Sequence, residues 1–121
     1  MAAHILLVED SDLVSAALQI LFEESGYRVT IAASAADAIH AATTTAPDVM
    51  LLDLGLRDAD GLSVLDALLD RGEVMPLTVA VTGTDDPAVT ARCLDRGCRA
   101  VLIKPVPPRE LVARVAVLLA G

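Results

Sequence analysis

Five times along this 121-residue chain, a short apolar run gives way to a segment of helical spacing, closed by Gly or Pro. That rhythm leaves few folds open. The runs are His4 to Val8, Tyr27 to Ala32, Val49 to Asp53, Leu77 to Val81 and Ala100 to Ile103. The near-continuous apolar run into Asp53 reads as a strand buried on both faces, the kind found in parallel sheets. Tyr27 to Ala32 alternates and is β-branched enough to be a strand. Strands alternating with helices over short connections imply a parallel sheet covered on both sides. The expected fold class is therefore α/β, a doubly wound five-stranded parallel sheet, with residues 1–121 as one domain.

The helices follow from their punctuation. Asp10 or Ser11 caps the first, with Leu13, Ala17, Ile20 and Leu21 at helical spacing and Gly26 closing it. Ser34 opens the second, Ala35 to Ala42, whose alanines predict a thin and loosely held element. The third, Leu62 to Leu69, places Leu62, Leu65 and Leu69 on one face and stops at Arg71-Gly72. Asp86-Pro87 is a good N-cap and N1 pair for the fourth, which ends at Gly97. Pro107-Pro108 restart the chain as a last helix, Arg109 to Ala120.

Composition narrows the function. Hydrophobic residues make up 55% and aromatics 2%, so Val, Leu, Ile and Ala must build the core. A net charge of −8 argues against affinity for nucleic acid or an anionic membrane, and points to proteins or cations as partners. No apolar run reaches the ~18 residues that span a bilayer, and no signal peptide is legible. Cys93 and Cys98 match neither a C-x-x-C pair nor a zinc site, which makes a cytoplasmic location the default. With His4 and His40 they read as structural or surface residues. Of nine basic residues only Lys104 is a lysine, a compact, flexible charge that Arg does not reproduce.

In a parallel sheet all carboxyl ends share one edge, where open α/β folds bind ligands. That edge collects Glu9 and Asp10 from strand one, Asp53 from strand three, Thr82 from strand four and Lys104 from strand five. In the order 2-1-3-4-5, Asp10 and Asp53 face each other across the switch-point crevice. Two carboxylates ~4–5 Å apart repel by about 3–4 kcal/mol at an effective dielectric of 20. A proton or a cation relieves this, and three oxygen-ligand acids favour a hard divalent ion such as Mg2+. A metal, a Lys and a hydroxyl around one carboxylate suit phosphoryl transfer, with Asp53 as nucleophile. No Walker-A glycine loop is present, which argues against a nucleotide donor.

V-E-D-S near the start, L-L-D-L-G-L with D-G following, V-T-G after strand four and I-K-P after strand five resemble the response regulator receiver domain. The resemblance spans essentially the whole chain and implies the flavodoxin-like 2-1-3-4-5 order. It implies that Asp53 accepts a phosphoryl group from a phosphohistidine of a histidine kinase or histidine phosphotransferase. Mg2+ would then be held by Asp10, Asp53 and the Gly55 backbone carbonyl, with Glu9 acting through water. Thr82 and Lys104 would hold the phosphoryl oxygens, and Lys104-Pro105 is where the family usually has a cis peptide.

Three positions depart from the family pattern. Arg57 stands where Pro is frequent. Gly55 and Thr84 offer no carboxylate or amide to orient water, so rapid self-dephosphorylation is not expected. Val101 replaces the Tyr or Phe that normally swings inward on activation, and a β-branched side chain has no ring to relocate. The expected output surface is helix four, strand five and helix five, taking a downstream protein or a second copy of the chain. Met1 reads as a native start, so the expectation is a receiver without an output domain, free-standing or cut from a longer protein. A phosphorylation-independent receiver acting as a binding module is the alternative. An aspartyl-nucleophile phosphatase is disfavoured because Gly55 stands where its second acid is needed.

Overall fold

The computed structural model describes residues 2–121, so the reading of Met1 lies outside the described residues. Five strands form one parallel sheet: β1 (His4–Val8), β2 (Arg28–Ala32), β3 (Val49–Asp53), β4 (Leu77–Thr82) and β5 (Ala100–Ile103). Their order is β2-β1-β3-β4-β5, as expected. β1 and β3 are buried at every position, which accounts for their unbroken apolar sequences. The helices are α1 (Asp12–Glu24), α2 (Ala35–Thr45), α3 (Leu62–Asp70), α4 (Pro87–Asp95) and α5 (Pro108–Leu119).

Alternation along the strands splits the core in two. Leu6, Val8, Met50 and Leu52 pack with α2 and α3 on one face of the sheet. Ile5, Leu7, Val49 and Leu51 pack with Leu18 and Phe22 of α1 and with Leu111 and Val115 of α5 on the other. Cys93 and Cys98 are free, buried thiols filling the first core as small apolar groups. Burial pushes the Cys98 thiol up to about 12 and raises that of Cys93. His4 is buried with Nε2 2.7 Å from Thr30 Oγ1, while His40 lies on the surface.

Several helix faces differ from expectation. α1 buries Ser15, Leu18 and Phe22, whereas Leu13 is 86% exposed. Leu13-Ala17-Ile20 and Ser15-Leu18-Phe22 have equivalent helical spacing; Phe22, the largest buried side chain, decides which stripe turns inward. α3 buries Leu62, Val64, Leu65 and Leu68 and leaves Leu69 half exposed. α2 is not loosely held. Ala35, Ala38, Ala41 and Ala42 are buried, their small side chains letting the helix approach the sheet closely. It also runs on to Thr45, where hydroxyls of Thr43 and Thr44 donate to the His40 carbonyl and that of Thr45 to the Ala41 carbonyl.

Strand bounds shift slightly for local reasons. β2 begins at Arg28 because the Tyr27 amide donates to the Phe22 carbonyl, closing the end of α1. β4 reaches Thr82, which pairs with Ile103.

The loop after β3 folds back closely enough to require glycine. A Cβ on Gly61 would lie 2.7 Å from the Asp53 carbonyl oxygen and 2.7 Å from Leu54 Cα, both backbone atoms. The Gly61 amide donates to the Leu54 carbonyl at 3.1 Å, which pins the loop in that position. Gly61→Ala is therefore expected to cost about 1–3 kcal/mol, the range of overpacking changes. Gly83→Ala, where a Cβ meets nothing within 4 Å, should stay within about 0.5 kcal/mol. Urea denaturation midpoints of the two variants check the contrast.

Candidate functional site

The strand ends converge because backbone hydrogen bonding continues past the ladders. The Glu9 amide donates to Ala32, Leu54 to Val81, and Lys104 to Thr82, at 3.0, 2.9 and 2.7 Å. These bonds carry the chain of β1, β3 and β5 to one rim of the sheet. Glu9, Asp10 and Asp53 each bring a carboxylate oxygen to within 4.8 Å of the other two. The sequence expectation that these acids meet is thereby realised.

Asp53 is buried, and both of its oxygens accept from Lys104 Nζ at 3.0 Å. Its Oδ1 also accepts from the Gly55 amide at 2.9 Å. Thr82 is buried at the end of β4, with Oγ1 accepting from the Thr84 amide at 3.2 Å, which leaves its proton free to donate. The Lys104-Pro105 peptide is cis, as the resemblance implies. Beside Asp53, Gly83 and Lys104 opens a cavity of about 490 Å³, walled by Leu7, Leu18, Leu51 and Leu111.

Charge distribution within the cluster is uneven. Burial, then the hydrogen bond to Asp53 and its negative charge, push Glu9 up to about 7. Burial also opposes ionisation of Asp53, but hydrogen bonds from Glu9, the Gly55 amide and Lys104 outweigh it and hold its carboxyl below the usual range. Of these two interacting carboxyls, Glu9 holds its proton to higher pH than Asp53. Donor chemistry fits a hard divalent cation: the three side chains that meet offer carboxylate oxygens alone, with no sulfur or imidazole among them.

Two contacts were not legible in the chain. Asp10 Oδ2 accepts from the Arg57 amide at 2.8 Å, and the Arg57 guanidinium lies 3.6 Å from the same oxygen. Asp58 reaches across to cap α2, accepting from the Ala35 amide at 3.1 and 3.0 Å. The one available signal was that Arg57, unlike a proline, has an N–H to donate.

The response regulator receiver domain family matches residues 5–116. The chain belongs to that family. It is 37% identical over 119 residues to the TorCAD operon transcriptional regulatory protein TorR of Escherichia coli, covering 98% of this chain and 51% of that protein. It is 33% identical over 111 residues to the transcriptional regulatory protein KdpE of Mycobacterium tuberculosis, covering 92% and 48%. The chain thus spans about half the length of these curated relatives. Among solved structures, a CheY-like receiver domain protein from Methanospirillum hungatei superposes with a TM-score of 0.88 at 27% identity, covering 99% of this chain and 95% of that one. As a response regulator receiver domain, this chain is a phosphorylatable signalling module of two-component systems, a class that works with histidine kinases rather than as classical enzymes. No helix among the described residues is long and apolar enough to cross a membrane.

The raised Glu9 value has a consequence for stability. Because it lies above the ordinary 4.5, the folded protein binds this proton more tightly than the unfolded chain. Its contribution is fully present below about 4.5 and is lost as pH rises through about 7. Asp53, held below 3.8, contributes in the opposite sense and only at lower pH. In chelator, urea midpoints should therefore fall between about pH 5 and 8, and Glu9→Gln should flatten that fall. An unchanged slope in Glu9→Gln would remove Glu9 as its cause.

Proposed function

We propose that Asp53 is the phosphoacceptor, taking its phosphoryl group from a phosphohistidine of a histidine kinase or histidine phosphotransferase. The observation that carries this reading is the Lys104 ammonium, 3.0 Å from both oxygens of a buried Asp53, beside two further acids. An Asp53 oxygen attacks phosphorus in line, and the P–N bond to the donor imidazole breaks with its electrons returning to the ring. Lys104 turns its charge from Asp53 to the phosphoryl oxygens, and the Thr82 hydroxyl donates to one of them. Asp10, Asp53 and the Gly55 carbonyl would hold Mg2+, with Glu9 acting through water. Bound Mg2+ supplies charge neutralisation for the equatorial oxygens.

In this reading the chain is one receiver domain of the cytoplasm that passes its signal to a protein partner. α4, β5 and α5 present Leu94, Ile103 and Val117 to solvent, and these suit a downstream protein or a second copy of the chain. With Val101 packed against the core in place of an aromatic, the signal must leave without a swinging ring. No observation favours the phosphorylation-independent alternative, and Gly55 still lacks the acid that a phosphatase needs.

Incubation with Mg2+ and acetyl phosphate, followed by intact-mass measurement, tests the proposal. Wild type should gain one phosphoryl group and Asp53→Asn none. The adduct should persist for minutes or longer, because Gly55 and Thr84 provide no group to orient water. Absence of an Asp53-dependent adduct would overturn the phosphoacceptor assignment, and decay within seconds the expected persistence.

A further inference from the structure

We propose that Arg57 is the resident cation of the acidic cluster, holding Asp10 and thereby raising the Mg2+ concentration at which the site fills. The inference rests on the cation site put forward above. Three carboxylates meet there, and Lys104 is committed to Asp53. Asp10 takes its compensation elsewhere, from the Arg57 amide at 2.8 Å and guanidinium at 3.6 Å, both directed at Oδ2.

Arg57 is placed there by its neighbours. On its C-terminal side Asp58 is tied to the Ala35 amide, the Asp60 carboxylate accepts from the Leu62 amide, and Gly61 packs on the β3 backbone. The loop is thus anchored immediately beyond residue 57, and the Arg57 amide is carried onto Asp10. A cation approaching Asp10 meets an oxygen already paired and a positive charge beside it. Both effects oppose binding. The Arg57 side chain is 82% exposed, so the share of its charge is modest and is screened by salt. A proline at this position has neither the amide donor nor the charge.

Calorimetric titration of Mg2+ into the unphosphorylated protein separates these contributions. Arg57→Ala should bind Mg2+ about two- to five-fold more tightly than wild type, the span of an exposed ion pair. Arg57→Lys, which keeps the charge, should return towards wild type. Arg57→Pro should bind more tightly than Arg57→Ala; that step alters no charge and removes the amide donor, while also fixing φ at this position. The gap between wild type and Arg57→Ala should shrink as sodium chloride is raised. Equal affinities for wild type and Arg57→Ala would overturn the inference, and Arg57→Pro no tighter than Arg57→Ala would overturn the amide's part in it. A wild type that binds no Mg2+ would remove the cation site itself, a distinct result. Urea midpoints for each variant establish that the differences arise in folded protein.

Discussion

Lys104 and Asp53 come from strands two places apart in the sheet, and their contact is the interaction on which the rest of the site depends. A buried carboxylate is costly unless it is paired, and Asp53 has Lys104 on both oxygens and the Gly55 amide on one. A hydrogen bond from Glu9 joins the Gly55 amide and Lys104 in holding the Asp53 carboxyl below its usual range, while Glu9 itself is raised. An ionised Asp53 is what a nucleophile requires at neutral pH. The pair also has an open side, since Lys104 remains about half exposed and can follow incoming charge.

The sheet makes this geometry cheap to hold. β3 is buried throughout, so its last residue is fixed by core packing rather than by the loop beyond it. Single backbone bonds past β1, β3 and β5 extend that rigidity to Glu9, Leu54 and Lys104. The loop from Leu54 to Gly61 is then folded back by a glycine contact and by hydrogen bonds to the carboxylates of Asp58 and Asp60. It carries Arg57 onto Asp10, and so a segment outside the sheet acquires a fixed place in the cluster.

The fold and the acidic cluster were legible because each rests on a local signal. Buried strands announce themselves as apolar runs, and the polar residues that end them must share one edge in a parallel sheet. What was not legible depends on competition between equivalent patterns or on contacts across the chain. α1 has two apolar stripes, and spacing alone does not show that Phe22 rather than Leu13 turns inward. In α2, alanines suggest weak packing, yet they permit a closer approach than larger side chains allow. Arg57 meets Asp10 from 47 residues away, through a backbone group that every residue except proline possesses.

The two carboxyls divide the labour: Asp53 gives up its proton at lower pH than Glu9. Carboxyl carbon NMR of the metal-free protein, followed through a pH titration, reads both groups directly. A Glu9 midpoint near 7 and an Asp53 midpoint below its ordinary 3.8 are expected. An Asp53 that titrates at higher pH than Glu9 would contradict this division.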